Sequence, residues 1–437
     1  MTRRSLKAWY LVHKWTSLVC MVFLLMLCVT GLPLIFHHEI DHALGHSVHA
    51  PDLASHPDDS LSGALPPRMP QVADPGRIVA DAARRRPGEA VQFLIRDPEE
   101  PNLWFVRLGE RIDAPEASAF FTYDARTGRL LNEYPLNQGV MNVVFRLHYD
   151  LFLGLPGTLF QGSMGFVFLL SLLSGLFLYG PYMSKLRFGT VRTTRSRRVR
   201  WLDLHNLFGI ATLVWLFVVG LTGVINTLAV PIFGHWQETQ LAEMIADIPD
   251  APVVRPIALR VGKAVVAAQA AAPELELSFL AFPGTDFSSS GHFVAFMQGR
   301  SAWSSKLLTP LLIDARTSRV VDRRQLPWYV TALLISQPLH FGDYGGLPLK
   351  ILWALLTVAA ILILGSGLYL WLKRHSVSFD SWFAVLEEEQ RGTVQNGRRL
   401  REGIRGPSHR RAGRSDRLRQ GRSGGLRSPS ASPARWV

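Results

Sequence analysis

The sequence predicts a membrane protein: a bundle of four transmembrane helices with a pseudo-twofold internal repeat, carrying two periplasmic α+β modules. Three observations predict it. Four apolar runs are each long enough to cross a bilayer, marker residues recur at a fixed offset of 192, and basic residues gather on one side of the runs. Composition agrees, since 48% of the 437 residues are hydrophobic and only 19% are charged, too apolar a balance for an ordinary soluble enzyme.

The first run, 18–36, carries no charged residue, and at about 1.5 Å per residue it covers a hydrocarbon core of about 30 Å. It is too long for the core of a signal peptide and no small-x-small cleavage site follows, so it reads as a retained span. Comparable runs lie at 159–183, 207–230 and 349–372, each with the Gly or Ser that lets helices approach closely in lipid.

Arg3, Arg4, Lys7 and Lys14 precede the first run, and Lys185, Arg187, Arg192, Arg195, Arg197, Arg198 and Arg200 fill the connection between the second and third. The positive-inside rule puts these segments in the cytoplasm, and hence the two long connections in the periplasm of a bacterium. The expected division is 1–36 for the N-terminus and first span, and 37–145 for the first outer module. The segment 146–183 holds an interfacial stretch and the second span, and 184–202 is the basic loop. The third span is 203–230 and the second outer module 231–338. An interfacial stretch and the fourth span occupy 339–372, and 373–437 is a cytoplasmic tail.

Formal net charge is +13, but from Arg391 onward there are 13 Arg against Glu402 and Asp416. The basicity therefore belongs to the tail, whose composition suits disorder and anionic lipid headgroups, and no nucleic-acid partner is expected. Cys20 and Cys28 both fall in the first run, where thiols pack as small hydrophobes. There is no C-x-x-C-H for covalent haem, no zinc-finger spacing, and no G-x-G-x-x-G or P-loop for a built-in nucleotide.

Self-comparison aligns His13 with His205, Thr30-Gly31 with Thr222-Gly223, Leu147-His148 with Leu339-His340, and Ser174-Gly175-Leu176 with Ser366-Gly367-Leu368, every pair 192 residues apart. Each half is span, outer module, span, so the halves share one orientation about an axis along the membrane normal. In the modules, 78–85 and 257–270 are helical by composition, and 91–95, 103–108 and 119–123 alternate as strands. A turn, Asp124-Ala125-Arg126-Thr127-Gly128, closes the first module and recurs as Asp314-Ala315-Arg316-Thr317-Ser318, without the glycine.

Of 14 histidines, four stand out. His13 and His205 lie at the cytoplasmic mouths of spans one and three, and His148 and His340 at the outer mouths of spans two and four. Ionisable side chains at membrane depth mark functional sites by default, and facing imidazoles suit the two axial positions of a haem iron devoted to electron transfer. Two b-type haems are therefore expected, with His13 and His205 on the inner iron and His148 and His340 on the outer. Gly31, Gly175, Gly223 and Gly367 serve either to leave room for flat macrocycles or to pack helices closely. Zinc is a weaker rival, because structural zinc prefers four clustered ligands.

His38, His42 and His46 fall at helical spacing after the first span and form a possible outer metal or substrate cluster, or one of them replaces His148; a polar helix end is the simpler account. His56, His292 and His409 read as surface residues. Trp328, Tyr329 and Tyr344 read as interfacial anchors or as contacts for a substrate.

Leu11-Val12-His13-Lys14-Trp15, the stretch from Thr30-Gly31-Leu32-Pro33 through Phe36 into Glu39-Ile40-Asp41, and Tyr123-Asp124-Ala125-Arg126-Thr127-Gly128 together resemble the PepSY-associated transmembrane proteins of bacterial inner membranes over about 6–382. The resemblance implies a four-helix di-haem protein with periplasmic PepSY modules, of the type that reduces ferric siderophores in iron uptake. The implied ligands are His13, His148, His205 and His340. The implied partners are membrane lipid, a cytoplasmic or quinol electron donor, and a ferric chelate. Rival expectations are a non-enzymatic membrane protein that binds peptides or regulates a periplasmic protease, and an iron or siderophore permease.

Overall fold

The computed structural model describes residues 3–43, 73–96, 100–134, 136–183, 187–246, 257–301, 304–342 and 344–373. In chain order the first part forms α1 (Arg3–Ile35), α2 (His37–Ala43), α3 (Pro75–Arg85), β1 (Ala90–Ile95), β2 (Leu103–Gly109), β3 (Ala119–Asp124), β4 (Leu130–Glu133), α4 (Gly139–Tyr149) and α5 (Leu155–Met183). The second forms α6 (Arg197–Thr227), α7 (Ala229–Trp236), α8 (Ala242–Ile245), α9 (Ala258–Ala271), β5 (Glu276–Ala281), β6 (His292–Gln298), β7 (Leu308–Asp314), β8 (Val320–Arg323), α10 (Trp328–Phe341) and α11 (Gly346–Leu372). A turn of π-helix, Gln237–Leu241, joins α7 to α8. The Arg-rich tail beyond Lys373 lies outside the described residues.

α1, α5, α6 and α11 are long and apolar enough to cross a membrane. Two of them start well before their apolar runs, α1 at Arg3 and α6 at Arg197, because Arg and Lys are good helix formers whose long stems carry the charge to water. His13 and His205 consequently sit two to three turns inside their helices, just before the apolar runs. Large apolar side chains such as Val22, Val214 and Leu355 point outward, whereas Ser174, Thr222 and Ser366 are buried. That is the expected arrangement where lipid is the solvent and polar groups must find partners inside.

α1 packs against α5 and α11, and α6 packs against the same two helices, so α1 and α6 are diagonal neighbours across the bundle. α4 lies on α1, and α10 on α6. At the opposite end of the bundle Arg192 ties the basic loop to α6: its guanidinium and backbone N–H both donate to Asp203, which is fully buried.

The strands form one antiparallel sheet in the order β4-β3-β2-β1-β5-β6-β7-β8. Two separate modules were expected. Instead β1 and β5 pair at the centre, with Leu94 opposite Leu280, which gives each strand a partner on a side that would otherwise be an unpaired edge. α3 and α9 pack together on one face over Ile78, Val106, Tyr123, Val261, Leu280 and Ile313. On the other face, the second half is covered by α7 and α10 through Trp236, Phe296, Leu312 and Val330. The first half presents Phe105 stacked on Phe120 there, both half-buried.

The two closing turns match. Asp124 Oδ1 accepts from the backbone N–H of Arg126 and Thr127, and Asp314 Oδ1 from those of Arg316 and Thr317. Gly128 adopts φ +71, and Ser318 takes the same left-handed conformation at φ +57. His292, expected at the surface, is buried, because β6 is a central strand; its Nδ1 lies 2.6 Å from Ser289 Oγ. His56 and His409 lie outside the described residues.

Candidate functional site

His13 of α1 faces His205 of α6 with ring centroids 6.4 Å apart and planes at 72°. His148 of α4 faces His340 of α10 at 6.3 Å and 59°. All four expected residues are thus brought together in the expected pairs, each pair built from diagonally placed elements. His13 packs near Gly175 and His148 near Gly31. Eighteen residues of α1 separate His13 from Gly31, so the sheet-distal and sheet-proximal pairs lie about 27 Å apart along the helix.

Each ring is fixed through Nδ1. His13 Nδ1 lies 3.0 Å from the Ser171 carbonyl and 3.3 Å from Ser174 Oγ, and His205 Nδ1 lies 3.1 Å from the Ile363 carbonyl and 3.0 Å from Ser366 Oγ. His148 Nδ1 is 3.0 Å from Thr30 Oγ1 and also meets the Leu27 carbonyl. His340 Nδ1 is 3.0 Å from the Val219 carbonyl and 3.5 Å from Thr222 Oγ1. A carbonyl only accepts, so Nδ1 carries the proton and Nε2 keeps its lone pair, an assignment made from the hydrogen-bond network. The hydroxyls already donate to their own helices, Thr30 to Met26 and Ser366 to Ile363, which leaves their oxygens to accept.

The glycines have a role that neither expectation named. A Cβ at Gly175 would stand 3.1 Å from His13 Cε1, one at Gly367 3.4 Å from His205, one at Gly31 3.3 Å from His148, and one at Gly223 3.0 Å from His340. Each glycine is the seat of one imidazole edge. Every seat and every hydroxyl partner has a counterpart 192 residues away.

This arrangement is suited to metal coordination. Imidazole nitrogens bind metals at about 2 Å, so two rings sharing one ion from opposite sides have centroids about 6 Å apart. Both pairs meet that spacing. Among the described residues no group of three or more His, Cys, Asp or Glu converges on a common point, so a zinc site closed by protein ligands is not formed there. Two neutral imidazoles in apolar surroundings fit an ion whose other positions are filled by a macrocycle, as in a bis-histidine iron porphyrin.

Of the second histidine cluster, only His38 and His42 are among the described residues. They lie on α2, where His37 meets His38 with ring centroids 4.0 Å apart and planes tilted by 37°, and His46 lies outside the described residues. His148 faces His340 itself, so no α2 histidine takes its place. The sequence did not suggest the contact α2 makes instead: Glu39 Oε1 accepts from Lys350 Nζ of α11 at 2.9 Å. Burial alone would raise the Glu39 pKa, but the Lys350 hydrogen bond holds it below the ordinary value. A lone lysine at the start of an apolar run was the available signal. Of the aromatic residues, Trp328 is exposed, Tyr329 lies on His235, and Tyr344 meets Trp353.

A tight turn follows each sheet-proximal histidine. After His148 the chain passes through Leu151 and Phe152, both with positive φ, held by the Phe152 N–H on Asp150 Oδ1 and by an Arg146–Asp150 ion pair. After His340 the left-handed residue is Gly342.

The chain matches the family described as PepSY-associated TM region over residues 10–374. It is also similar to the uncharacterized protein PA4219 of Pseudomonas aeruginosa, 29% identical over 279 residues that cover 58% of this chain and 68% of the relative. The family match takes in all four histidines, the whole sheet and, from residue 10 onward, the four long helices, and the chain belongs to the PepSY-associated transmembrane family.

Proposed function

We propose that this protein is a transmembrane ferric reductase that holds two b-type haems, one between His13 and His205 and one between His148 and His340, and passes electrons to a ferric chelate such as a ferric siderophore. The observation that carries the reading is the pair of facing imidazoles at each of two levels, 6.4 and 6.3 Å between centroids. Held between the paired imidazoles of His13 and His205 and of His148 and His340, such a group would supply one-electron transfer.

The chain's own contribution is to hold and tune. The four imidazoles supply ligands, while Ser171, Ser174, Ile363 and Ser366 at one level and Leu27, Thr30, Val219 and Thr222 at the other fix tautomer and ring orientation. Contacts repeated at an offset of 192 support a tandem repeat with a pseudo-twofold axis along the membrane normal.

The basic loop and N-terminal charges favour an orientation in the bacterial inner membrane with both termini in the cytoplasm and the sheet in the periplasm. The donor is then a cytoplasmic reductant or a membrane quinol. The acceptor arrives beside the sheet-proximal pair, where reduction to the softer Fe(II) loosens the hold of hard oxygen ligands.

The test is a pyridine haemochrome assay with haem-to-protein stoichiometry on the parent, His13→Ala and His148→Ala. Two haems in the parent and one in each variant are expected. Unchanged content in both variants removes the ligand assignment, and a colourless parent points to a peptide-binding membrane protein, a protease regulator or a permease.

A further inference from the structure

Two tryptophans inside the bundle take part in none of the contacts that hold the histidines. Trp215 of α6 and Trp353 of α11 meet edge to face, with centroids 6.2 Å apart and planes at 89°. Indoles in membrane proteins ordinarily sit at the interfaces with N–H toward headgroups. Here both Nε1–H groups are shielded, and neither has a hydrogen-bond partner among the described residues. A donor buried in that way costs free energy that Phe or Leu at the same place would not. Filling space is therefore a poor account of two indoles.

Their position is informative. Trp215 lies ten residues along α6 from His205 and eight from Gly223, about 15 and 12 Å from the two histidine levels. Trp353 carries the aromatic contact on toward the sheet-proximal pair, since a Cβ at Gly342, two residues after His340, would stand 2.7 Å from its ring. The counterparts 192 residues earlier are Phe23 and Gln161, and Gln161 Nε2 donates to the carbonyls of Leu147 and His148. In the first half Phe23 meets Phe160 edge to face at 5.0 Å, a smaller aromatic pair that stops short of Gln161, and the paired indoles exist in the second half alone.

We infer that Trp215 and Trp353 form the coupling path by which an electron crosses between the two histidine levels, so that transfer runs through the second half of the bundle. This rests on the haem reading above. Electron tunnelling falls off less steeply through packed, polarisable π systems than across gaps. One electron leaves the reduced group at the His13–His205 level and is gained by the oxidised group at the His148–His340 level. Both indoles end as they began, no proton moves, and the ferric chelate is the final oxidant.

The test uses the purified full chain, reduced with dithionite, freed of excess reductant and mixed anaerobically with ferric EDTA in a stopped-flow instrument while the Soret band is followed. The sheet-proximal group oxidises first, and the sheet-distal group follows in a second phase limited by the crossing. A leucine in place of an indole leaves part of the volume without atoms to carry coupling, so Trp215→Leu and Trp353→Leu are each expected to slow the second phase by about tenfold. The first phase and the stoichiometry of two haems stay unchanged, and Phe23→Leu behaves as the parent.

A second phase at the parental rate in both indole variants, with both haems present, overturns the inference. So does equal slowing in Phe23→Leu. If the leucine variants lose haem, Trp215→Phe and Trp353→Phe decide: several-fold slowing with two haems retained supports the path, whereas haem loss there too makes the indoles walls of the binding sites and overturns it. A parent without a Soret band sinks the haem reading and this inference together, while a two-haem parent with insensitive kinetics sinks only the inference.

Discussion

In the first half of the chain His148 leans on Gly31 and hydrogen-bonds Thr30; in the second, His340 leans on Gly223 and hydrogen-bonds Thr222. Two residues before these histidines the resemblance ends, with Arg146 paired to Asp150 on one side and Pro338 on the other. Glu39 and Lys350, joined across the halves, have Pro231 and Thr158 as their counterparts. What is duplicated is what fixes an imidazole. What has diverged surrounds the rings and decides what approaches from each side.

The largest effect that tests this comparison comes from the seats. Gly223→Val and Gly175→Val force branched side chains against rings already 3.0 and 3.1 Å from a bare Cβ position. Each is expected to remove one haem, as the matching histidine variant does. Alanine gives a finer scale, with Gly223→Ala harsher than Gly31→Ala and Gly175→Ala harsher than Gly367→Ala, read as haem retained after detergent washing. Equal retention in all four alanine variants would show that the seats do not set ring position.

The bend after His148 comes next. A Cβ on Gly157 would stand 1.8 Å from the Asp150 carbonyl, so Gly157→Ala must open the α4–α5 turn and is expected to cost about 1–3 kcal/mol in detergent unfolding. The equivalent residue of the second half is Leu349, so this close approach is particular to one half. Parental stability in Gly157→Ala would mean that the turn is free to move.

A smaller contrast separates the closing turns. Burial pushes the Asp124 carboxyl up in pKa, but the Arg126 side chain and the N–H groups of Arg126 and Thr127 outweigh it and hold the group below the ordinary value; in Asp314 burial is outweighed by the N–H groups of Thr317 and Arg316. A depressed pKa in the folded state contributes stability at neutral pH that is lost as pH falls through the folded value, in the acid range below about 4. Asp124→Ala is expected to cost about 2 kcal/mol and Asp314→Ala about 1 kcal/mol, with both penalties shrinking in that range. Urea titrations at neutral and acid pH would read the contrast, and pH-independent penalties would break it.

Smallest are the hydroxyls. Thr30 lies 3.0 Å from His148 Nδ1 and Thr222 lies 3.5 Å from His340 Nδ1. Thr30→Val is expected to cost about 1 kcal/mol and Thr222→Val less, measured by thermal unfolding, and the reverse order would mean that the carbonyls do the orienting alone.

Much of this architecture was legible because lipid simplifies the code. Long apolar runs read as candidate spans, and a fixed offset carries the features that the halves share from one to the other. The pairing of His13 with His205 and of His148 with His340 followed from the offset alone. The glycine seats did not, because a glycine near a histidine in space is 117 to 162 residues away in the chain, and packing is not periodic in sequence. The Lys350–Glu39 contact was hidden for a related reason, since its partners lie in different halves and break the repeat. The starts of α1 and α6 were not legible from the apolar runs, because hydropathy finds the greasy part of a helix, whereas the helix itself continues as long as its residues favour it.

The central β1–β5 seam also bears on how this polypeptide tolerates being cut. Three residue pairs, Leu94 opposite Leu280 among them, clamp one half of the chain to the other at the far end from the basic loop. A chain severed between α5 and α6 should therefore reassemble from two co-expressed fragments, each able to complete the other's sheet, whereas either fragment produced alone would carry a sticky strand with no mate.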